Sequence, residues 1–149
     1  KFGVIFKNKF SLKILSEENP ALSEIYEKIQ YHPRCYLAEE LNSDPSETIA
    51  ASDLVISASF TSPTIEALCS KKKAIYYAAN NKFRGTYYDQ IPYFVAHDYS
   101  ELKEMVDYWL NKMTPKEFEG FLNQYIRGEI DPHLDGKAIT RFRTKLVEK

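Results

Sequence analysis

The chain has 149 residues, 44% of them hydrophobic, and its 20 Lys and Arg against 21 Asp and Glu leave a formal net charge of −1. That length suits one domain with a sizeable core and no need of disulfides or metal, and the balanced charge lacks the basic excess of a nucleic-acid binder. No apolar run nears the roughly 20 residues of a membrane span, no signal peptide is visible, and Cys35 and Cys69 lack the spacing of a zinc or redox motif.

Phe2–Phe6 concentrates apolar residues and reads as a strand, with Lys7-Asn8-Lys9 as its basic exit. Ser16-Glu17-Glu18-Asn19-Pro20 reads as a helix entry. Leu22, Ile25, Tyr26 and Ile29 then mark one helical face, which Pro33 ends. His32-Pro33 is accordingly a helix stop. Cys35–Leu37 is a short strand, and Asn42-Ser43-Asp44-Pro45 turns into a second helix with Pro45 at its first position. Both cysteines are expected to be buried free thiols of a cytosolic protein. The opening residues run straight into a strand without an initiator Met, from which we expect a fragment of a longer protein.

The densest information lies in Ser52–Tyr77, which predicts strand 53–57, helix 62–70 and strand 73–77 around a loop rich in Ser and Thr. Beyond a polar loop, 78–90, a fifth strand is expected at 93–95. A strong helix capped by Asp98 or Ser100 follows, with Leu102, Met105, Val106, Trp109 and Leu110 on one face. Thr114-Pro115-Lys116-Glu117 carries a capping box, and a last helix spans about 135–147. Alternation of strands and helices predicts an α/β, Rossmann-like parallel sheet of about five strands flanked by helices, closed by a C-terminal helical layer.

Open sheets of this kind bind ligands at the carboxyl ends of their strands, and a helix N-terminus there suits a phosphate. In the loop Ser57-Ala58-Ser59-Phe60-Thr61-Ser62-Pro63-Thr64, Ser62 suits the cap and Pro63 the first helical position. One hydroxyl suffices for a cap; Ser57, Ser59, Thr61 and Ser62 supply an excess that suits a phosphate ester. Glu66 is four residues beyond Ser62, on the same helical face. It is either solvated or turned to a ligand, where it would accept bonds from sugar hydroxyls. Together these features suggest a nucleotide-sugar site. No GxGxxG after a strand, no P-loop and no HExxH is present to point elsewhere.

Three segments carry a family likeness: Asp53-Leu54-Val55-Ile56-Ser57, Thr61-Ser62-Pro63-Thr64-Ile65-Glu66-Ala67 and Ala74-Ile75-Tyr76-Tyr77. They resemble the C-terminal, donor-binding half of GT-B-fold glycosyltransferases of bacterial surface-polysaccharide (capsule and lipopolysaccharide) biosynthesis. The tail Ile130–Ala138, with Asp135-Gly136 opening the last helix, also resembles such enzymes. The resemblance implies one donor-binding domain over residues 1–149 of a longer two-domain enzyme. It implies that Ser59, Thr61, Ser62, Thr64 and Lys7 hold the donor's phosphate and that Glu66 holds its ribose. Tyr77 and His97 are candidates for base or sugar contacts, and Lys82 and Arg84 for further phosphate contacts. The catalytic base would come from the absent N-terminal domain, and no cofactor or metal would be needed beyond the nucleotide-sugar substrate. Some relatives carry Lys-Pro-His-Pro after the first strand, where this chain keeps only the charge of Lys7-Asn8-Lys9, and many have glycine at the place of Pro63.

The partners implied are a nucleotide-sugar and a glycan acceptor. The location implied is cytoplasmic, with room for peripheral association at the inner face of a membrane. The basic last helix (Lys137, Arg141, Arg143, Lys145) is either a solvated face or a contact with membrane or partner. A CDP-alditol phosphotransferase, a nucleotide-sugar 2-epimerase and a non-catalytic scaffold in which the loop merely caps a helix are the alternatives.

Overall fold

The computed structural model describes residues 2–8, 11–38, 44–58, 60–79, 84–130, 132–133 and 135–147. The chain divides into two compact units, Lys1–Ser52 and Asp53–Lys149.

In the first unit, strand β1 (Val4–Lys7) pairs in parallel with β2 (Cys35–Ala38), with Val4 opposite Cys35 and Lys7 opposite Ala38. Two helices, α1 (Leu12–Glu18) and α2 (Pro20–Gln30), make the crossover that parallel strands require. Ser16-Glu17-Glu18 therefore does not open a helix as the acidic run suggested; it closes α1, and Asn19 is the hinge. Asn19 ends α1 and caps α2, its side chain accepting the Ala21 N–H at 3.0 Å, with Pro20 at the first position. His32 lies in the turn after α2, where its Nδ1 accepts the Arg34 N–H at 3.2 Å. Helix α3 (Pro45–Ala51) is capped by Asp44, whose carboxylate accepts the Ser46 N–H at 2.9 Å. Only Ile29, Ile49 and Ser16 are buried among this unit's described residues, and Val4, Ile5 and Phe6 of β1 are exposed.

The second unit holds the larger core. Strands β3 (Leu54–Ala58), β4 (Lys73–Tyr77) and β5 (Val95–Ala96) form a parallel sheet in that order. Helix α4 (Ser62–Cys69) crosses from β3 to β4. Five parallel strands are thus present among the described residues, as the sequence predicts, but paired as two and three. β5 starts at Val95 because Tyr93 has φ 57°, a left-handed conformation that no strand residue adopts. The turn after α4 also uses a left-handed residue, Lys71 (φ 57°), so that Lys72 N–H reaches Ala67 O at 2.8 Å and Lys71 N–H reaches Leu68 O at 3.0 Å. This paired arrangement satisfies the helix's last carbonyls.

Helices α5 (Tyr99–Asp107) and α6 (Pro115–Phe121) each run on into a π-helical turn, Tyr108–Lys112 and Leu122–Ile126. Bonds from Met113 N–H to Tyr108 O and from Arg127 N–H to Leu122 O, both 2.8 Å, close those turns. The first turn carries Trp109, fully buried, whose Nε1 donates to Tyr93 O at 2.6 Å. Lys73 of β4 donates from Nζ to Trp109 O and, at 3.1 Å, to Met113 O, and so meets carbonyls that the helix end leaves unpaired. Phe94, Phe121 and Trp109 complete an aromatic core, with ring centroids 5.7 Å apart for Phe94–Phe121 and 5.0 Å for Trp109–Phe121. Thr114 and Glu117 form the expected capping box at α6. Helix α7 (Ala138–Val147) has no buried residue; the packed part of the C-terminal layer is the half-buried face of α5 with Phe121 of α6 and the π-helical turns that bury Trp109, Leu122 and Ile126.

Candidate functional site

Beyond the carboxyl end of β3, Phe60 and Thr61 lead into α4. The turn's shape is held by rings. Phe60 has φ 50°, and its ring lies edge-on to Tyr76 (5.1 Å between centroids) and against Tyr88 (5.3 Å). Tyr76, 1% exposed, donates its hydroxyl to Thr61 O at 3.1 Å. Burial pushes the Tyr76 phenol far above its ordinary pKa, with Tyr88 adding to the effect, so it stays a neutral donor. The sequence reading gave Tyr76 no such role. Strand register could have found it: Tyr76 lies opposite Ser57 and so shares its face of the sheet.

That face leads into α4. Thr64 is fully buried, and its hydroxyl bonds to that of Ser57 and, at 3.3 Å, to Ile75 O. Ser57 and Thr64 thereby stitch β3, α4 and β4 together. Thr61, not Ser62, is the cap residue, and its side chain makes no capping bond; instead its hydroxyl donates to Ala58 O at 3.0 Å. Ser62 and Pro63 become the first two helical residues. Pro63 lacks an N–H and Thr64 is fully buried, so of the first turn's N–H groups only that of Ser62 lies on an exposed residue, with no capping side chain across it. Ser62 is exposed at this end, and Glu66 is exposed one turn along.

The remaining candidates divide among several places. Ser59 and Lys82 lie outside the described residues. Lys7 ends β1 in the first unit and is half-buried. Tyr77 ends β4 at the same carboxyl edge as the turn, half-buried, opposite Ala58 on one side and Ala96 on the other. Arg84 is exposed. The structure thus brings Thr61, Ser62, Thr64, Glu66 and Tyr77 to one end of the three-stranded sheet.

His97 follows β5, 6% exposed. Its Nε2 bonds to Asp89 Oδ1, and its N–H donates to Glu101 Oε2 at 2.7 Å. Asp89 also accepts the Gly85 N–H at 2.7 Å. Those two donors, the Gly85 N–H first and His97 second, hold the Asp89 carboxyl below the usual carboxylate range. His97 Nδ1 is buried without a hydrogen-bonding partner among the described residues. Asp98 caps α5, accepting the Glu101 N–H at 2.9 Å.

Both cysteines are free thiols, and both are half-buried where full burial was expected. Cys35 Sγ lies 3.5 Å from His32 Nδ1. Ser62 and Glu66 are exposed candidates at the N-terminal end of α4. A concavity of about 150 Å³, between Lys71, Phe118, Leu122 and Arg127, sits instead by the turn at the far end of α4. It has no hydroxyl-rich wall, so the chemistry and not the concavity marks the candidate site. Among the described residues no three His, Cys, Asp or Glu side chains converge on one point, and no helix is long and apolar enough to cross a membrane.

The sequence profile of a protein family described as "Polysaccharide biosynthesis PFTS motif protein" matches residues 1–106. No curated protein and no solved structure matches the chain.

Proposed function

The chain belongs to the polysaccharide biosynthesis PFTS motif family, and from that membership we propose that it is the nucleotide-sugar donor-binding half of a GT-B-type glycosyltransferase acting on a surface polysaccharide. The observation that carries the reading is the uncapped start of α4 at the carboxyl edge of the parallel sheet. The unopposed Ser62 N–H, the positive end of a helix and the exposed Ser62 hydroxyl suit a phosphate group. Glu66, one turn on and on the same face, suits the vicinal hydroxyls of a ribose.

In this reading the site acts by electrostatics. As the bond between sugar and nucleotide breaks, negative charge grows on the departing phosphate. Fixed N–H and O–H donors already aimed at that position stabilise it without reorganising. Tyr76 and the Ser57–Thr64 pair hold those donors in place. The base that deprotonates the acceptor hydroxyl comes from elsewhere in the parent enzyme, so the chain by itself binds nucleotide weakly and transfers nothing.

The scaffold reading has one observation in its favour: the hydroxyls of Thr61 and Thr64 are already spent on internal bonds. That leaves the hydroxyl and N–H of Ser62 and the carboxylate of Glu66 to do the binding, and it defines the test. Amide shifts are followed by NMR while the chain is titrated with CMP, CDP, UDP and GDP. The donor reading expects saturable shifts at Thr61–Glu66 with one nucleotide, weakened about tenfold by Glu66→Ala, the scale of a lost hydrogen bond to a charged group. No response at these residues to any of the four nucleotides, or one indifferent to Glu66→Ala, sinks it in favour of the scaffold.

A further inference from the structure

Helix α7 differs from every other helix of its unit in what it leaves uncovered. Ile139, Phe142 and Leu146 recur at a spacing of three and four residues and so form one stripe. They are 67%, 64% and 59% exposed. At 100° per residue, Arg143 borders that stripe on one side and Lys145 on the other. Thr140 and Thr144 lie on the opposite face. From Lys137 to Val147 there are four cations and no carboxylate, in a chain whose net charge is −1. Arg141 is held by Asp135, with Nη1 2.8 Å and 2.9 Å from its two carboxylate oxygens. That pairing ties the helix to the turn before it and leaves Arg143 and Lys145 as the flanking charges.

We propose that α7 is a membrane-surface helix that docks this protein on a bilayer bearing anionic headgroups. An apolar stripe bordered on both sides by cations is the pattern of a helix lying in the plane of the interface, its rings and branched chains in the acyl boundary and its long basic side chains reaching back to phosphates. With ten residues the helix is about 15 Å long, half of the roughly 30 Å needed to cross the hydrocarbon, so it lies on the membrane and does not span it. Charge complementarity selects this occupant. A second copy of the chain, docked stripe to stripe, would set Arg143 and Lys145 against their own like charges, whereas an anionic surface favours each cation about fivefold.

The inference goes beyond the donor-site reading and is tested without any nucleotide. The full chain is floated with phosphatidylcholine vesicles and with mixed phosphatidylcholine–phosphatidylglycerol vesicles, at low and at raised salt. Binding to the mixed vesicles is expected, at least about tenfold stronger than to the neutral ones and weakened by salt. The double variant Arg143→Glu, Lys145→Glu should lose roughly 25-fold or more, and Phe142→Ala with Leu146→Ala should release the chain from both kinds of vesicle. All four positions are exposed, so folding, followed by circular dichroism, should not change. Phe142→Trp gives an independent readout: brominated lipid should quench the new indole, while Trp109, sealed in the core, is spared. Failure to bind mixed vesicles overturns the proposal, as does binding indifferent to both double variants. Self-association in sedimentation equilibrium that Leu146→Ala abolishes would also overturn it, and would assign the stripe to a second copy.

Discussion

Among single residues, the hydroxyls of the β3–α4 turn have separated into two jobs. Those of Ser57, Thr61 and Thr64 serve the fold, and Ser62 faces out. Thr64→Val replaces a fully buried hydroxyl by a methyl group and strands its Ser57 partner, so stability should fall by about 1–3 kcal/mol. Under the donor reading, the nucleotide-induced shifts at Ser62 and Glu66 should survive; urea melts and the same titration check both halves. Asp89 allows a pH argument. Its pKa is depressed by the Gly85 N–H, then by His97, with Arg84 adding to the effect. A depressed folded-state pKa means that ionised Asp89 adds stability above its unfolded value of about 3.9, and that this gain is lost as pH falls through the lower folded value. Asp89→Asn should therefore cost about 1–3 kcal/mol at neutral pH and flatten the loss of stability below about pH 4. An unchanged acid limb in urea melts between neutral and acid pH would show that the Asp89 carboxylate does not keep its hydrogen bonds to Gly85 and His97 in solution. Sequence spacing pointed to Glu66 and Ser62 because both lie on one helix turn. Helix spacing assigns no role to Tyr76 or Asp89, whose roles arise from strand register and from a contact eight residues away.

Among elements, what could be read in advance follows from locality. Caps, first-turn prolines and amphipathic faces are written within four or five residues, so α2, α3, α5 and α6 and strands β3 and β4 fall close to their expected places. The misses are non-local. Nothing local announces the π-helical turns, since they place Trp109 and Ile126 into a core built from other elements. α1 was hidden because Asn19-Pro20 looks like the start of one helix when it is also the end of another. The expected cap at Ser62 shifted to Thr61 because the Tyr76 hydroxyl, fifteen residues away, fixes the Thr61 carbonyl. The turn after α4 invites a direct test. Lys71 occupies the left-handed position that glycine fills without steric cost. Lys71→Gly should therefore raise stability by about 1 kcal/mol, less the greater freedom of glycine in the unfolded chain. A net loss in thermal or urea melts would mean that the lysine side chain compensates through contacts along α6.

For the whole molecule, the distribution of the core decides which parts open first. Leu68, Ile75, Tyr76, Phe94, Trp109 and Ile126 are all at most 1% exposed, and all lie in the Asp53–Lys149 unit. Among the described residues, only Ile29 and Ile49 of the buried apolar residues belong to Lys1–Ser52, while Val4, Ile5, Phe6 and Tyr36 of its strands stay exposed. A unit of that size with so thin a core is marginal, and hydrogen-exchange stability should follow the buried contacts and not the mere presence of helix or strand. Amides of β4, α4 and the π-helical turn at Trp109 should therefore exchange only by global unfolding. Those of β1, β2 and α2 should exchange through a lower-energy opening that moderate urea accelerates. Those of α7, with no buried residue, should exchange fastest of all the helices until a surface covers its apolar stripe. Adding the mixed anionic vesicles to the same exchange experiment ties the two scales together, since docking should slow α7 while leaving β4 and α5 unchanged. Uniform protection across the chain, or protection of α7 in free solution equal to that of α4, would contradict the burial-based ordering.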